Sequence, residues 1–242
     1  MQYAVTRDGE KIEAVKDVEA FCPICLEPVL ARCGRIKIHH WAHLADLDCD
    51  SWTEPETEWH RVWKTIFDPC FVEVPMGPHR ADIQNESGLV VELQNSSISP
   101  AEIQERERFY GNMVWVVNAE LFADRLFLMK RMAPQIFAFK WKHMRPSWRY
   151  ARKPVFLDLG RFSVKDLLGV EVKGPSAFAY GVQKNLSRYD GTNGSHINHT
   201  LVGIPEEVRN HSVLRINTIY ESGRGSVEVL DMSELRTRLG AN

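Results

Sequence analysis

Apolar and polar positions alternate with period two over Arg80-Ala81-Asp82-Ile83 within His79 to Ile83, and again over Val91-Glu92-Leu93-Gln94 at the end of Gly88 to Gln94, which predicts two short strands joined by a turn. Upstream, Trp59, Val62, Trp63 and Ile66 recur at i, i+3, i+4 and i+7. With Pro55 and acids at its start, the segment reads as a helix. Downstream, Ser99 as N-cap with Pro100 at N1 predicts a helix over Pro100 to Tyr110, and Met113-Val114-Trp115-Val116-Val117 is an apolar run suited to a buried strand. Near the start, Pro28 to Arg32 and Arg35 to Ile38 predict a hairpin turning at Cys33-Gly34. After residue 120 we expect a helix over Ala123 to Met132, a strand over Val155 to Leu159, a helical turn over Val164 to Leu168 and a turn-rich loop over Asn185 to Asn198. A strand over Val227 to Leu230 and a helix over Met232 to Leu239, capped by Asp231 or Ser233 and stopped by Gly240, close the chain.

At 242 residues, 44% of them hydrophobic, the chain suffices for one large domain or a core with appendages. No run approaches the roughly 18 apolar residues of a spanning helix, and the start does not resemble a signal peptide, so no membrane partner and a cytoplasmic setting are expected. A sequon such as Asn198-His199-Thr200 then carries no weight. The net charge of -2 neither demands nor excludes a nucleic acid. Locally, Arg125 to Pro154 contains no acid, and its lysines and arginines are interleaved with Trp141, Trp148 and Tyr150, a composition suited to phosphates and base stacking. No Walker-type loop is present, which removes an ATP-driven motor, and Glu171-Val172-Lys173 lacks a partner acid.

Five cysteines, an odd number, argue against a disulfide framework. Cys22-Pro23-Ile24-Cys25 followed by His40-Trp41-Ala42-His43 has the spacing C-x2-C-x14-H-x2-H, and points to a structural Zn2+ held by Cys22, Cys25, His40 and His43. His39 in place of His40, and Cys49 in place of one imidazole, are alternatives; Cys33 at the hairpin tip is the weakest. On the two strands, Glu92 and Gln94 share a face, and Asp82 on the neighbouring strand can meet Glu92 across a hard cation, Mg2+ or Mn2+. On the helix, Glu58 is placed to reach such a metal. His60 and Lys64, one turn apart, are placed to face a phosphate, or all three are solvated helix residues.

Phe21-Cys22-Pro23-Ile24-Cys25, Pro28-Val29, Gly34, the His40 to His43 quartet, Glu58-x-His60-x-x-x-Lys64, Arg80-Ala81-Asp82-Ile83 and Glu92-Leu93-Gln94-Asn95-Ser96-Ser97-Ile98 occur in the order seen in the competence protein CoiA-like family, which this chain resembles over about residues 20 to 120. The resemblance implies an α+β fold: a PD-(D/E)XK restriction-endonuclease-like core of helix, three strands, helix and strand, an N-terminal zinc-ribbon-like module and a C-terminal extension. We place these at residues 1–50 (zinc module), 51–120 (core) and 121–242 (extension). The core elements would be Glu58 to Phe67, Phe71 to Val74, His79 to Asn85, Leu89 to Gln94, Pro100 to Tyr110 and the Met113 run.

The expected function is metal-dependent hydrolysis of DNA phosphodiesters in competence, recombination or DNA processing, with DNA and recombination proteins as partners. Asp82 and Glu92 would hold the metal, Glu58 assist, Gln94 position the attacking water, and Lys64 or His60 stabilise the phosphate. One of Gln104, Arg106 and Arg108 would reach the DNA backbone. Two departures stand out. Gln94 occupies the place of the superfamily's usual lysine and can orient a water but not polarise it, and Trp41 stands where the family generally has phenylalanine. A catalytically weak nucleic-acid-binding accessory protein and a zinc-stabilised interaction module are the competing classes.

Overall fold

The structure is a computed structural model and describes residues 1–34, 38–44, 49–167 and 210–241. The expected loop over 185–198 and the Glu171-Val172-Lys173 match lie outside the described residues. The chain divides into two compact units, one comprising Met1–Ser96 with the terminal residues from Leu239, the other Ser97–Arg238. Helices and sheets occur together, as an α+β chain requires.

In the first unit, β1 (Tyr3–Val5), β2 (Lys11–Glu13), β3 (Ala20–Phe21), β4 (Pro28–Arg32) and β5 (His40–His43) form an antiparallel sheet in the order β2-β1-β3-β4-β5. Its core is small and gathers Ala4, Ala20, Cys22, Val29 and Trp41. The strand returning against β4 is His40–His43, with Val29 opposite His43 and Arg32 opposite His40, rather than the expected Arg35 to Ile38. Residues 35–37 of the expected second strand lie outside the described residues.

The same unit continues through α1 (Glu58–Lys64) to an antiparallel meander of β6 (Val72–Met76), β7 (His79–Gln84) and β8 (Val90–Gln94). The β7–β8 turn closes on Asn85, whose side chain accepts from Leu89 N at 3.0 Å, and on Gly88, whose φ of 75° suits a residue without Cβ. Val91 and Leu93 alternate with Glu92 and Gln94 along β8, yet all five of its residues are buried. Helix α1 is also turned from the expected stripe: Val62 is exposed, and the buried face carries His60, Trp63 and Lys64. Polar groups sit on that face because each finds a partner there, as shown below.

In the second unit, α2 (Pro100–Tyr110) and β9 (Met113–Asn118) form where expected. The remaining elements are β10 (Leu126–Ala133), β11 (Ile136–Trp141), β12 (Val155–Asp158), α3 (Val164–Leu167), β13 (Val213–Ile219), β14 (Arg224–Leu230) and α4 (Met232–Leu239). Strands run in the order β10-β11-β14-β13-β12-β9, antiparallel except for the β12–β9 pair. The expected helix over Ala123 to Met132 is a 3-10 turn followed by β10. Good helix formers there are overridden by pairing with β11, which buries Leu126 and Leu128 on alternate positions. Among the described residues no helix is long and apolar enough to cross a membrane.

Candidate functional site

Two polar centres lie in the first unit. The first is built on the Cys22–Cys25 turn, where Leu26 at φ 61° lets its N–H return to Cys22 O at 3.0 Å, while Ile24 N donates to Cys22 Sγ at 3.4 Å. Register puts His43 beside Val29, next to this turn. Cys22, Cys25, His43 and Cys49 bring four ligand atoms within 4.8 Å of one another. Cys22 Sγ is 3.7 Å from Cys49 Sγ, and His43 Nε2 lies 3.3 Å from Cys25 Sγ and 3.4 Å from Cys49 Sγ. A tetrahedral zinc with Zn–S of about 2.3 Å has S···S edges of about 3.8 Å and slightly shorter N···S edges, so the set fits. Burial pulls the His43 imidazole toward its neutral, ligating form. Burial and the neighbouring thiols push Cys49 up to about 12, a charge conflict that a bound cation relieves.

The cluster is thus Cys3His and compatible with structural zinc. His40 lies outside it: three residues from His43, it points to the opposite face of β5 about 10 Å along the strand, and its Nδ1 pairs with Ile38 O at 2.8 Å. Cys49, weighed only as an alternative, takes the place given to His40. Cys33 approaches Ala14 O and belongs to the small core.

The second centre is a row of carboxylates. Val72 pairs with Ile83 and Val74 with Ala81, which sets Glu73 opposite Asp82; Ile83 pairs with Val91 and Gln84 with Val90, which sets Asp82 opposite Glu92. The last two interlock, Asp82 N donating to Glu92 Oε1 at 3.3 Å and Leu93 N to Asp82 Oδ2 at 3.0 Å. Glu73 adopts φ 48° inside a strand, a costly conformation for a side chain with Cβ. Its carboxylate accepts from Gln2 N at 2.8 Å and Tyr3 N at 2.9 Å, joining β1 to the meander.

Lys64 rises from α1 into this row. Its Nζ, in a side chain 3% exposed, is 3.0 Å from both Glu73 and Glu56 and 3.6 Å from Asp82 Oδ1. Burial pulls the ammonium's pKa down, but Glu73, Asp82 and Glu56 outweigh it, and the net shift is upward. Burial alone would raise Glu73; Lys64, Arg80 and the amides at residues 2 and 3 instead hold it well below the usual carboxylate range. Lys64 is therefore charged and already paired, rather than directed at solvent.

His60 is likewise committed. Its N–H donates to Thr57 Oγ1 at 3.3 Å and its Nδ1 accepts from Thr57 N at 3.3 Å, a capping box with histidine in the N3 position. An accepting Nδ1 puts the proton on Nε2, which donates to Leu93 O at 3.3 Å, between Glu92 and Gln94. The phosphate-facing role expected for His60 is replaced by a clamp between helix and strand. Glu58 is exposed on the first turn of α1, and Glu54 and Glu56 are the acids that face the site. Glu54 accepts from Gln94 Nε2, from Asn95 N at 3.1 Å and from Ser96 Oγ at 2.6 Å. Sequence reasoning missed Glu54, Glu56 and Glu73. Only the acids ahead of the helix offer a signal, and they serve equally well as a mark of the helix start.

In the second unit, Trp141 and Trp148 are buried, so the basic segment offers no tryptophan platform; Tyr150 alone among its interleaved aromatics is exposed. Arg131 binds Pro134 O at 3.0 Å, Lys142 lies over Phe127 and Arg149 pairs with Glu221. On α2, Arg106 is buried against Glu102 and Trp115, while Arg108 is exposed.

No curated protein and no solved structure matches the chain. The family model described as Competence protein CoiA, N-terminal domain, matches residues 5–51, a span that holds all four members of the Cys3His cluster. Residues 5–51 thus carry a CoiA-type N-terminal domain, and this supports assignment of the chain to the CoiA-like competence protein family.

Proposed function

We propose that the chain is a metal-dependent nuclease of the PD-(D/E)XK type that hydrolyses DNA phosphodiesters, with a structural zinc in its N-terminal module. The observation that carries this reading is the register that sets Asp82 opposite Glu92 on adjacent antiparallel strands, with Gln94 two residues on. The surrounding elements run α1, β6, β7, β8, α2, β9, the helix, three strands, helix and strand order of that fold. Hard carboxylate oxygens on neighbouring strands suit Mg2+ or Mn2+, and Asp82 and Glu92 would hold it. Such a metal lowers the pKa of a bound water and offsets charge on the phosphate. The chain's own contribution is positional. Lys64 holds Glu73 ionised and stands 3.6 Å from Asp82 Oδ1, and His60 fixes β8 at Leu93. Any DNA contact made by the second unit itself would use exposed basic side chains such as Arg108 rather than the buried Trp141 and Trp148.

Zinc-loaded protein incubated with linear, circular and single-stranded DNA, in Mg2+, Mn2+ or EDTA, tests the reading. We expect metal-dependent cleavage that falls at least about a hundredfold in Glu92→Ala. Cleavage that persists in Glu92→Ala would falsify the assignment. Retained DNA binding without cleavage in wild type supports an accessory role instead.

A further inference from the structure

Gln94 stands where the superfamily's lysine is usual, and its surroundings decide what it can do in that place. Its amide nitrogen donates to Glu54 and approaches Ser96 O at 3.4 Å. An ionised carboxylate and a carbonyl only accept, so the nitrogen, not the oxygen, must face them, and two acceptors use both N–H groups. Gln94 Oε1 is then the side chain's remaining polar atom, and it belongs to the strand face shared with Glu92. Glu54 is itself fixed by Asn95 N, Ser96 N at 3.3 Å and Ser96 Oγ, and is only 15% exposed at its side chain.

We propose that Glu54 is a positioning residue that locks the Gln94 amide with its oxygen toward the Asp82–Glu92 pair, so that Gln94 serves as a third oxygen donor to the divalent cation or its water. Gln94 is then not a weakened lysine. A lysine at this position would meet Glu54 and be neutralised by it, which turns the usual motif into a liability in this chain. This role rests on the nuclease reading given above.

The test is Mn2+ affinity of the zinc-loaded full chain, by calorimetry or electron paramagnetic resonance, for wild type, Glu54→Ala, Gln94→Lys and the reciprocal double variant Glu54→Gln with Gln94→Glu. In the double variant the amide at 54 donates to the carboxylate at 94, its oxygen still accepts from Asn95 N and Ser96 N, and position 94 still presents oxygen. Removing a partner that orients a metal ligand weakens binding about tenfold or more, which is the result expected for Glu54→Ala. Gln94→Lys weakens it at least as much, and the double variant recovers most of the loss. Wild-type affinity in Glu54→Ala, even with a lowered melting temperature, overturns the inference alone, since it reduces Glu54 to a structural tie. Affinity or cleavage in Gln94→Lys equal to or above wild type does the same. Failure of wild type to bind Mn2+ overturns the nuclease reading and this role with it.

Discussion

The two polar centres of the first unit solve the same problem, several acidic groups gathered out of water, in opposite ways. The Cys3His cluster contains no cation of its own: burial and the neighbouring thiols push the Cys49 thiol up, and the four donor atoms converge on a space that suits a soft metal. The carboxylate row brings its counter-charge in the sequence, as Lys64 and Arg80 against Glu56, Glu73 and Asp82. One centre therefore offers only ligands, in a geometry compatible with structural zinc. The other carries most of its counter-charge in the chain and is more open at one edge, where the Asp82 side chain is 27% exposed.

Removing ligands breaks the comparison most severely. Cys22→Ser and Cys49→Ser should each abolish bound zinc and unfold the N-terminal sheet, since structural zinc supplies on the order of 10 kcal/mol to domains of this size. His40→Ala should keep its zinc. Elemental analysis and circular dichroism decide, and zinc lost in His40→Ala but kept in Cys49→Ser would reverse the ligand assignment.

Next in size is Lys64→Met, which leaves Glu73 and Glu56 buried without their ammonium and should cost about 3–5 kcal/mol in chemical denaturation. Its pH dependence sharpens the contrast. Glu73 has a folded pKa below its ordinary 4.5, so its stabilisation is present above that value and is lost as pH falls through the lowered one. Lys64 has a folded pKa above 10.5, so its share is complete below 10.5 and is lost as pH rises through the raised value. Wild-type stability from this pair should therefore be level between the two limits, and the gap to Lys64→Met should close in acid. A gap that stays constant down to acid unfolding would show that the pair is not energetically coupled.

The smallest expected effect is that of His60→Ala, about 1–2 kcal/mol for a lost cap and strand tie, with zinc content unchanged. Exchange of the amides on β8 should quicken relative to those of β4. Equal protection in both strands would place the clamp outside the stability of β8.

What was legible in the sequence was local. Helix α2 could be placed to the residue because its start is written in adjacent positions, with Ser99 Oγ accepting Glu102 N at 3.1 Å and Pro100 at N1. Glu92 and Gln94 could be grouped, and Asp82 set opposite them, because strand periodicity puts i and i+2 on one face. Glu73 could not be, because its role follows from a positive φ and from a partner more than seventy residues earlier, Gln2. Cys49 and His40 were indistinguishable until the β4–β5 register was known. Strand β10 was misread because its leucines, methionine and lysine favour a helix in isolation, and only its partner strand decides otherwise.

The histidine clamp has a consequence for anyone who would rebuild this unit. Thr57, His60 and the carbonyl of Leu93 form one hydrogen-bonded circuit, so the first turn of α1 and the Glu92–Gln94 segment are a single transplantable part. Grafting the strand motif onto another scaffold without residues 54–64 would carry over the carboxylates and the amide but leave behind the groups that hold them in place.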